Sequence, residues 1–283
     1  MPQVLKGAAV AKAIREGCKE KTQTFVERGI LPTLCIMRVG EKSDDIFYEE
    51  SAMKKCAAVG IRVIHKVIPE TADTTEMLNE IRQVNEDDGI HGLLLLRPLP
   101  KHMDEKGIIA ALKREKDVDC MVDENLYAVL CGDERGFVPC TPQAVVRLME
   151  HYGIQPEGKE AVVIGRSTVV GKPLGMMLLK RNATVTYCHT RTKDIRAVCK
   201  RADVLICAAG KAKMVDASFV KEGAVVIDVG INTDENGKMV GDADTDDVLK
   251  KASAVTPVPG GIGSITSWLL IEHVLKACEA QTK

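Results

Sequence analysis

The sequence predicts an α/β fold in two domains, the second built on a doubly wound parallel sheet. Three observations carry this reading. The chain has 283 residues, which at ~150 residues per domain gives two. Helical and strand-like periodicities take turns along it, and runs such as Gly92–Leu96 are short and wholly apolar, as strands buried on both faces must be. Such alternation implies right-handed parallel crossovers.

The periodicity predicts a helix over Val4–Gly29, closed by its glycine, and a strand over Thr33–Val39. Asp44–Val59 reads as a helix, Ile61–Ile68 as a strand, Thr74–Asp87 as a helix and Gly92–Leu96 as a buried strand. The prolines of Arg97-Pro98-Leu99-Pro100 remove ladder donors and predict a rigid corner at that strand's carboxyl end. Asp117–Pro142 holds a Gly132-Asp133-Glu134-Arg135-Gly136 turn cluster and no strong period, so it reads as an excursion between domains, with a boundary near Thr141. Beyond it come a helix over Pro142–Tyr152, a strand over Ala161–Ile164, a glycine-bearing turn, a helix over Lys172–Leu179 and strands over Ala183–Cys188, Val204–Ala208 and Val225–Asp228. A hinge at Pro257-Val258-Pro259-Gly260-Gly261 precedes a last helix, Ser267–Cys278. The expected domains are 1–141 and 142–263, with the helical segment 264–283 packing back on the first.

Composition excludes several classes of function. Lys and Arg number 39 against 40 Asp and Glu, for a net charge of −1, so neither a nucleic-acid partner nor a membrane surface is expected. Aromatics make up only 3%, too few for a base-stacking platform. No run approaches the ~18–20 apolar residues of a membrane span, and Met1-Pro2-Gln3-Val4-Leu5-Lys6 has no apolar signal core, so a cytoplasmic location is expected. Ten cysteines without a CxxC pair read as buried free thiols. No metal is expected: His65, His102 and His151 lack ligand partners at metal spacing, and Asp242–Asp247 lacks the EF-hand pattern and reads as a solvated turn and helix start.

The strongest chemical signal is Gly165-Arg166-Ser167-Thr168-Val169-Val170-Gly171-Lys172-Pro173 between a strand and a helix. Gly165 permits a sharp turn, Gly171 permits close backbone approach, and the helix start favours a phosphate. The spelling departs from GxGxxG, and glycines in such a turn can also serve geometry alone. The next strand ends in His189-Thr190-Arg191-Thr192 with no carboxylate before Asp194. That absence favours NADP over NAD, with Arg166, Thr190 and Arg191 as candidates for the extra phosphate.

These residues, together with Val39-Gly40, Lys116-Asp117-Val118-Asp119, Pro139-Cys140-Thr141-Pro142, Val226-Ile227-Asp228-Val229-Gly230-Ile231-Asn232 and Thr256-Pro257-Val258-Pro259-Gly260-Gly261-Ile262-Gly263, give a chain that resembles the bifunctional methylenetetrahydrofolate dehydrogenase/methenyltetrahydrofolate cyclohydrolase family, divergent at the folate site. The resemblance implies an N-terminal α/β folate domain, a Rossmann-like NADP-binding domain, a folate cleft between them and a homodimer. It implies catalytic roles for Tyr48 and Asp119, and substrate binding by Tyr48, Leu96, Arg97, Pro98, Asp119, Pro259, Gly260, Gly261 and Thr266. It also implies cofactor binding by Gly165, Arg166, Ser167, Gly171, Thr190, Arg191 and Ile231.

The departures are local. The family's Tyr-x-x-x-Lys is Tyr48 and Ala52 here, its Gln is Leu96, the following Leu is Arg97, and its Pro-Met is Ser264-Ile265. Its Gly-Phe-His-Pro is replaced by Cys120-Met121-Val122-Asp123. Hydride transfer needs geometry more than a base, whereas hydrolysis needs proton movement, for which the family lysine is the implied group. At ~100° per residue Lys54 lies ~200° round the helix from position 52 and Lys55 about 60°, so Lys55 is the only helical substitute, and a solvated lysine is its plainer reading. The expected activity is NADP-dependent oxidation of methylenetetrahydrofolate with cyclohydrolase activity weak or lost. The alternatives are an inactive NADP-binding paralogue and a dehydrogenase for a more anionic substrate.

Overall fold

Thr33–Val39 is buried at every position and forms the centre of one sheet, as its largely apolar character leads one to expect. The computed structural model describes residues 2–133 and 135–283. They form two compact units. A three-stranded unit contains Ala13–Ala128, Asp133–Val138 and Ser267–Lys283, and a six-stranded unit contains the chain through Lys12, Val129–Gly132 and Pro139–Thr266.

The elements up to the last boundary region are β1 (Gln3–Val4), α1 (Ala8–Glu27), β2 (Thr33–Val39), α2 (Ser43–Val59), β3 (Arg62–Ile68), α3 (Thr74–Glu86), β4 (Gly92–Leu95), α4 (Glu105–Ala110) and α5 (Asp123–Leu130). There follow α6 (Cys140–His151), β5 (Glu160–Ile164), α7 (Gly171–Lys180), β6 (Thr184–Cys188), α8 (Ile195–Cys199), β7 (Val204–Cys207), β8 (Val225–Asp228), β9 (Asn232–Thr233), β10 (Met239–Val240), α9 (Thr245–Val248), β11 (Ala254–Val255) and α10 (Gly263–Gln281).

In the three-stranded unit the parallel order is β3-β2-β4, with Met37 opposite Leu95. Alternation along each strand sorts the side chains. Cys35, Met37, Val39, Leu93 and Leu95 join Met77, Ile81 and Val84 of α3 in one cluster. Ile36, Arg38, Leu94 and Leu96 fall on the opposite face. Helix α3 starts with a capping box between Asp73 and Glu76. At its other end the buried Lys116 donates to the carbonyls of Val84 and Asp87, both at 2.7 Å. Burial lowers its pKa, yet the orphan carbonyls of a helix end are a fitting partner for its charge.

In the six-stranded unit the order is β1-β11-β8-β7-β5-β6, parallel throughout. The winding reverses between β5 and β7, which is a topological switch point. Four-residue β7 and β8 are almost wholly buried, and their Leu205, Cys207 and Val226 share a core with Val162 and Ile164.

Three expectations are corrected. Val4–Gly29 is not one helix: Gln3 and Leu5 donate to Ser253 and Val255, each at 2.8 Å, so Val4 lies in a strand and α1 begins only at Ala8. That pairing also places the residues through Lys12 in the six-stranded unit, whereas the expected division runs 1–141. Asp117–Pro142 is more ordered than its weak periodicity implies. Buried Asp117 accepts from Met121 N at 2.8 Å, Val122 N at 2.9 Å and Asn125 Nδ2 at 2.8 Å, which nucleates α5. The ten cysteines are free thiols, eight of them buried, and burial pushes Cys35 and Cys56 up to about 12. No helix among the described residues is long and apolar enough to cross a membrane.

The Lys116 cap gives a stability test. Lys116→Met keeps the stem but leaves two carbonyls without their charged donor, and a loss of about 1–3 kcal/mol is expected. The urea midpoint measured against the unchanged protein reads it.

Candidate active site

In the six-stranded unit, β5 delivers the chain into Gly165 at a φ of +134°, a conformation that suits glycine. A Cβ on Gly165 would collide with the carbonyl oxygen of Ala208, and one on Gly171 with that of Gly165. The turn is therefore closed by main chain alone. Ser167 braces it, its Oγ accepting from Val170 N at 3.1 Å and Gly171 N at 3.4 Å. The amides of residues 166–169 donate to no acceptor among the described residues, which leaves four N–H groups of the turn without a protein partner. Gly175, which the sequence reading passes over, has its own reason: a Cβ there would enter the Tyr187 ring, so glycine lets α7 lie close on β6.

After β6, His189 N donates to Thr192 Oγ1 at 2.8 Å and Arg191 N to His189 Nδ1 at 3.1 Å. This tight turn leaves Thr190 and Arg191 exposed, as Arg166 is. Asp194, the first carboxylate beyond the strand, caps α8 by accepting from Ala197 N at 3.2 Å. It is committed to a helix rather than to a ribose.

A cavity of about 320 Å³ in the same unit is lined by Asp228, Ile231, Met239 and the Pro257–Ser264 loop, which contains Pro259, Gly260 and Gly261. Thr266 lies just beyond it in sequence and donates to Gly263 O at 3.3 Å. The N-terminal segment braces this loop, with Gly7 N donating to Gly260 O at 2.9 Å. The expectation that Asp242 belongs to a solvated turn is wrong. Asp242 is fully buried and accepts from the amides of Ala209 at 2.5 Å, Gly210 at 3.0 Å and Lys211 at 2.8 Å, and from Asn232 Nδ2 at 2.9 Å. Asp228 accepts in turn from Gly230 N at 2.8 Å, Asp242 N at 3.1 Å and Ala243 N at 2.7 Å. Burial pushes its pKa up to about 6 in spite of those donors. The acidic spacing conceals this role because the partner amides lie some thirty residues away.

The remaining candidates lie in the three-stranded unit. Tyr48 on α2 is 42% exposed, enough for its ring to offer a face to a flat ligand. Ala52 lies one turn on from Tyr48 on the same side of that helix and is buried. Leu96 follows β4 and is 7% exposed, and Arg97–Pro98 is a cis peptide. Arg97 Nη1 stands 3.8 Å from Glu105 Oε1, and Glu105 Oε2 accepts from Leu99 N at 2.8 Å. Burial pushes Asp119 up to about 6, with Arg97 holding it down and Asp117 pushing it further up. The Asp119 loop is tied down by buried His273, whose Nδ1 lies 2.8 Å from Val118 O. Lys55 is not simply solvated, since its Nζ donates to Ser51 Oγ at 2.7 Å and burial lowers its pKa.

The sequence reading also misses a buried charge cluster beneath α2. Glu49 Oε2 lies 2.9 Å from Arg38 Nε and 2.8 Å from His65 Nε2. The available signal was an arginine inside the otherwise apolar strand Thr33–Val39.

Known proteins bear on this geometry. Residues 5–119 match the tetrahydrofolate dehydrogenase/cyclohydrolase catalytic domain, and residues 139–282 match the NAD(P)-binding domain of the same name. The bifunctional protein FolD of Alkaliphilus oremlandii is 49% identical over 281 residues, covering 99% of each chain. A crystal structure of the bifunctional FolD enzyme from Campylobacter jejuni superposes with a TM-score of 0.97 at 40% identity, covering 99% of both chains. The Trypanosoma brucei methylenetetrahydrofolate dehydrogenase-cyclohydrolase, solved with NADP cofactor and inhibitor, matches at a TM-score of 0.93 and 32% identity over the whole of both chains.

The carboxyl group of Asp119 gives a direct electrostatic test. Arg97→Leu removes the positive charge that favours the carboxylate, so the Asp119 titration midpoint rises above its value of about 6. Carboxyl carbon NMR across pH 4–8 reads the shift, and an unmoved midpoint would show that the two side chains do not interact.

Proposed function

Because the chain belongs to the tetrahydrofolate dehydrogenase/cyclohydrolase family, we propose that it oxidises 5,10-methylenetetrahydrofolate with NADP and has little or no cyclohydrolase activity. The single observation that carries this is the chemistry at two positions: Ala52 and Leu96 are both buried and apolar, and neither can move a proton.

The turn fits the cofactor: main chain closes it where any Cβ would intrude, and its amides without a protein acceptor are donors a pyrophosphate could use. Gly165, Ser167 and Gly171 would hold that group, while Arg166, Thr190 and Arg191 would receive the additional phosphate. Ile231 would border the nicotinamide. When bound, NADP supplies a hydride acceptor. What this chain supplies is placement. Tyr48 offers a ring face to the pterin and Asp119 a carboxyl group for its polar edge. Leu96, Arg97, Pro98, Pro259, Gly260, Gly261 and Thr266 would shape the rest of the substrate site. As the hydride leaves the bridging carbon, the adjacent substrate nitrogen stabilises the cation formed, so no protein base is required.

Hydrolysis of the methenyl product needs water attack and proton movement. Lys55 is engaged with Ser51 on a neighbouring part of the helix, and a guanidinium such as that of Arg97 is a poor acid/base group. The charge of Arg97 is already answered by Glu105 and Asp119, which weighs against a more anionic substrate. The reading also takes the protein to be a cytoplasmic homodimer.

Purified protein mixed with methylenetetrahydrofolate and NADP should form NADPH and accumulate methenyl product at close to equal amounts. NADP binding without NADPH would leave an inactive paralogue, and methenyl decay well above the buffer rate would overturn the loss of hydrolysis. Gly171→Val should weaken NADP binding at least tenfold, or about 1.4 kcal/mol, as read by NADPH fluorescence titration.

A further inference from the structure

The cluster beneath α2 has no part in hydride transfer, yet it lies where the missing amine would be. Helix α2 buries Glu49, Ala52, Cys56 and Val59. Glu49 and Ala52 are three residues apart, so they share a face with Cβ atoms about 5–6 Å apart. On the sheet side, Leu96 N donates to Met37 O at 2.9 Å, which sets Leu96 beside Arg38 in register. Alternation puts Arg38 and Leu96 on the face away from the Met37 and Leu95 cluster. One face therefore gathers Arg38, Glu49, Ala52 and Leu96.

Both ion contacts of Glu49, to Arg38 Nε and to His65 Nε2, fall on Oε2. Oε1 takes neither. Arg38 is further fixed through its Nη1, which donates to Gly40 O. The carboxylate thus sits against a guanidinium of β2 and an imidazole of β3, on a residue that shares a helix face with position 52.

We propose that Glu49, held by Arg38, is a specificity-determining residue that commits this site to dehydrogenation, because its carboxylate would capture any amine placed at position 52. An acidic residue three positions before a lysine on one helix face is a favourable ion pair. In a buried setting that pair keeps the lysine protonated and turned toward Glu49. The guanidinium of Arg38 disfavours a second cation elsewhere on the face. Hydrolysis is then barred twice, by the absence of the amine and by a neighbour that would disable it. This rests on the reading that hydrolysis is weak here.

The test compares the ratio of methenyl hydrolysis to dehydrogenation on the same preparations, a ratio that partial misfolding does not raise. The unchanged protein is measured first, and rapid hydrolysis there would refute the parent reading without variants. With slow hydrolysis established, A52K/L96Q should stay within about threefold of the unchanged ratio, and E49Q/A52K/L96Q should exceed it at least tenfold. Should the triple variant fail to fold, R38L/E49V/A52K/L96Q removes both charges together and is expected to give the same rise. A double variant that gains tenfold alone overturns the proposal. So does a folded variant lacking Glu49 that is no better than the double.

Discussion

Everything at the carboxyl edge of the six-stranded sheet hangs on two buried carboxylates. Asp228 closes β8 and Asp242 follows β10, and between them they accept from six main-chain amides and one side-chain amide. The amides come from the loop after β7, the turn after β8 and the segment before α9. Irregular backbone at a sheet edge exposes donors that no ladder satisfies, and a buried loop cannot leave them unpaired. A carboxylate can accept several at once, so two side chains replace a whole ladder. The cost falls on the neighbours: a Cβ on Gly230 would run into Asp242, and one on Gly241 into Asp228. Two glycines are therefore required by two aspartates. The loop they hold abuts Gly165 through Ala208, so the phosphate turn inherits its shape from this hub.

How much of this was legible depends on how local each cause is. Thr33–Val39 and Val225–Asp228 are read to the residue because short, mostly apolar runs bounded by turns point to buried strands. β1 and β11 are two residues each and exist only through their pairing, so no pattern within either reveals them. The same division holds at the site. Gly165 and Gly171 announce themselves because a turn and its helix are contiguous. Asp242 and Asp117 do not, since their partners are amides, which carry no sequence signature. Arg38, Glu49 and His65 come from three elements, and only strand register brings them together.

The two units thus keep different amounts of chemistry. The nucleotide turn is built of main chain and glycine, with little that substitution could alter without breaking it. The face of α2 and the end of β4 are built of side chains, with apolar Ala52 and Leu96 buried there. Hydride transfer tolerates that asymmetry, because a fixed geometry suffices for it. Proton transfer does not, because it requires a particular group at a particular place.

The buried thiols carry a practical consequence. Cys35, Cys56 and Cys120 lie in the three-stranded unit, and Cys199 and Cys207 in the six-stranded one, all shielded and all pushed up in pKa mainly by burial or by a neighbouring thiol. A thiol in that condition reacts with an alkylating reagent only when its surroundings open. Cysteine labelling followed by peptide mass therefore clocks the opening of each unit separately, with exposed Cys131 marking the reagent's unhindered rate. The chain carries its own set of internal probes for asking whether a bound nucleotide steadies one half of the molecule or both.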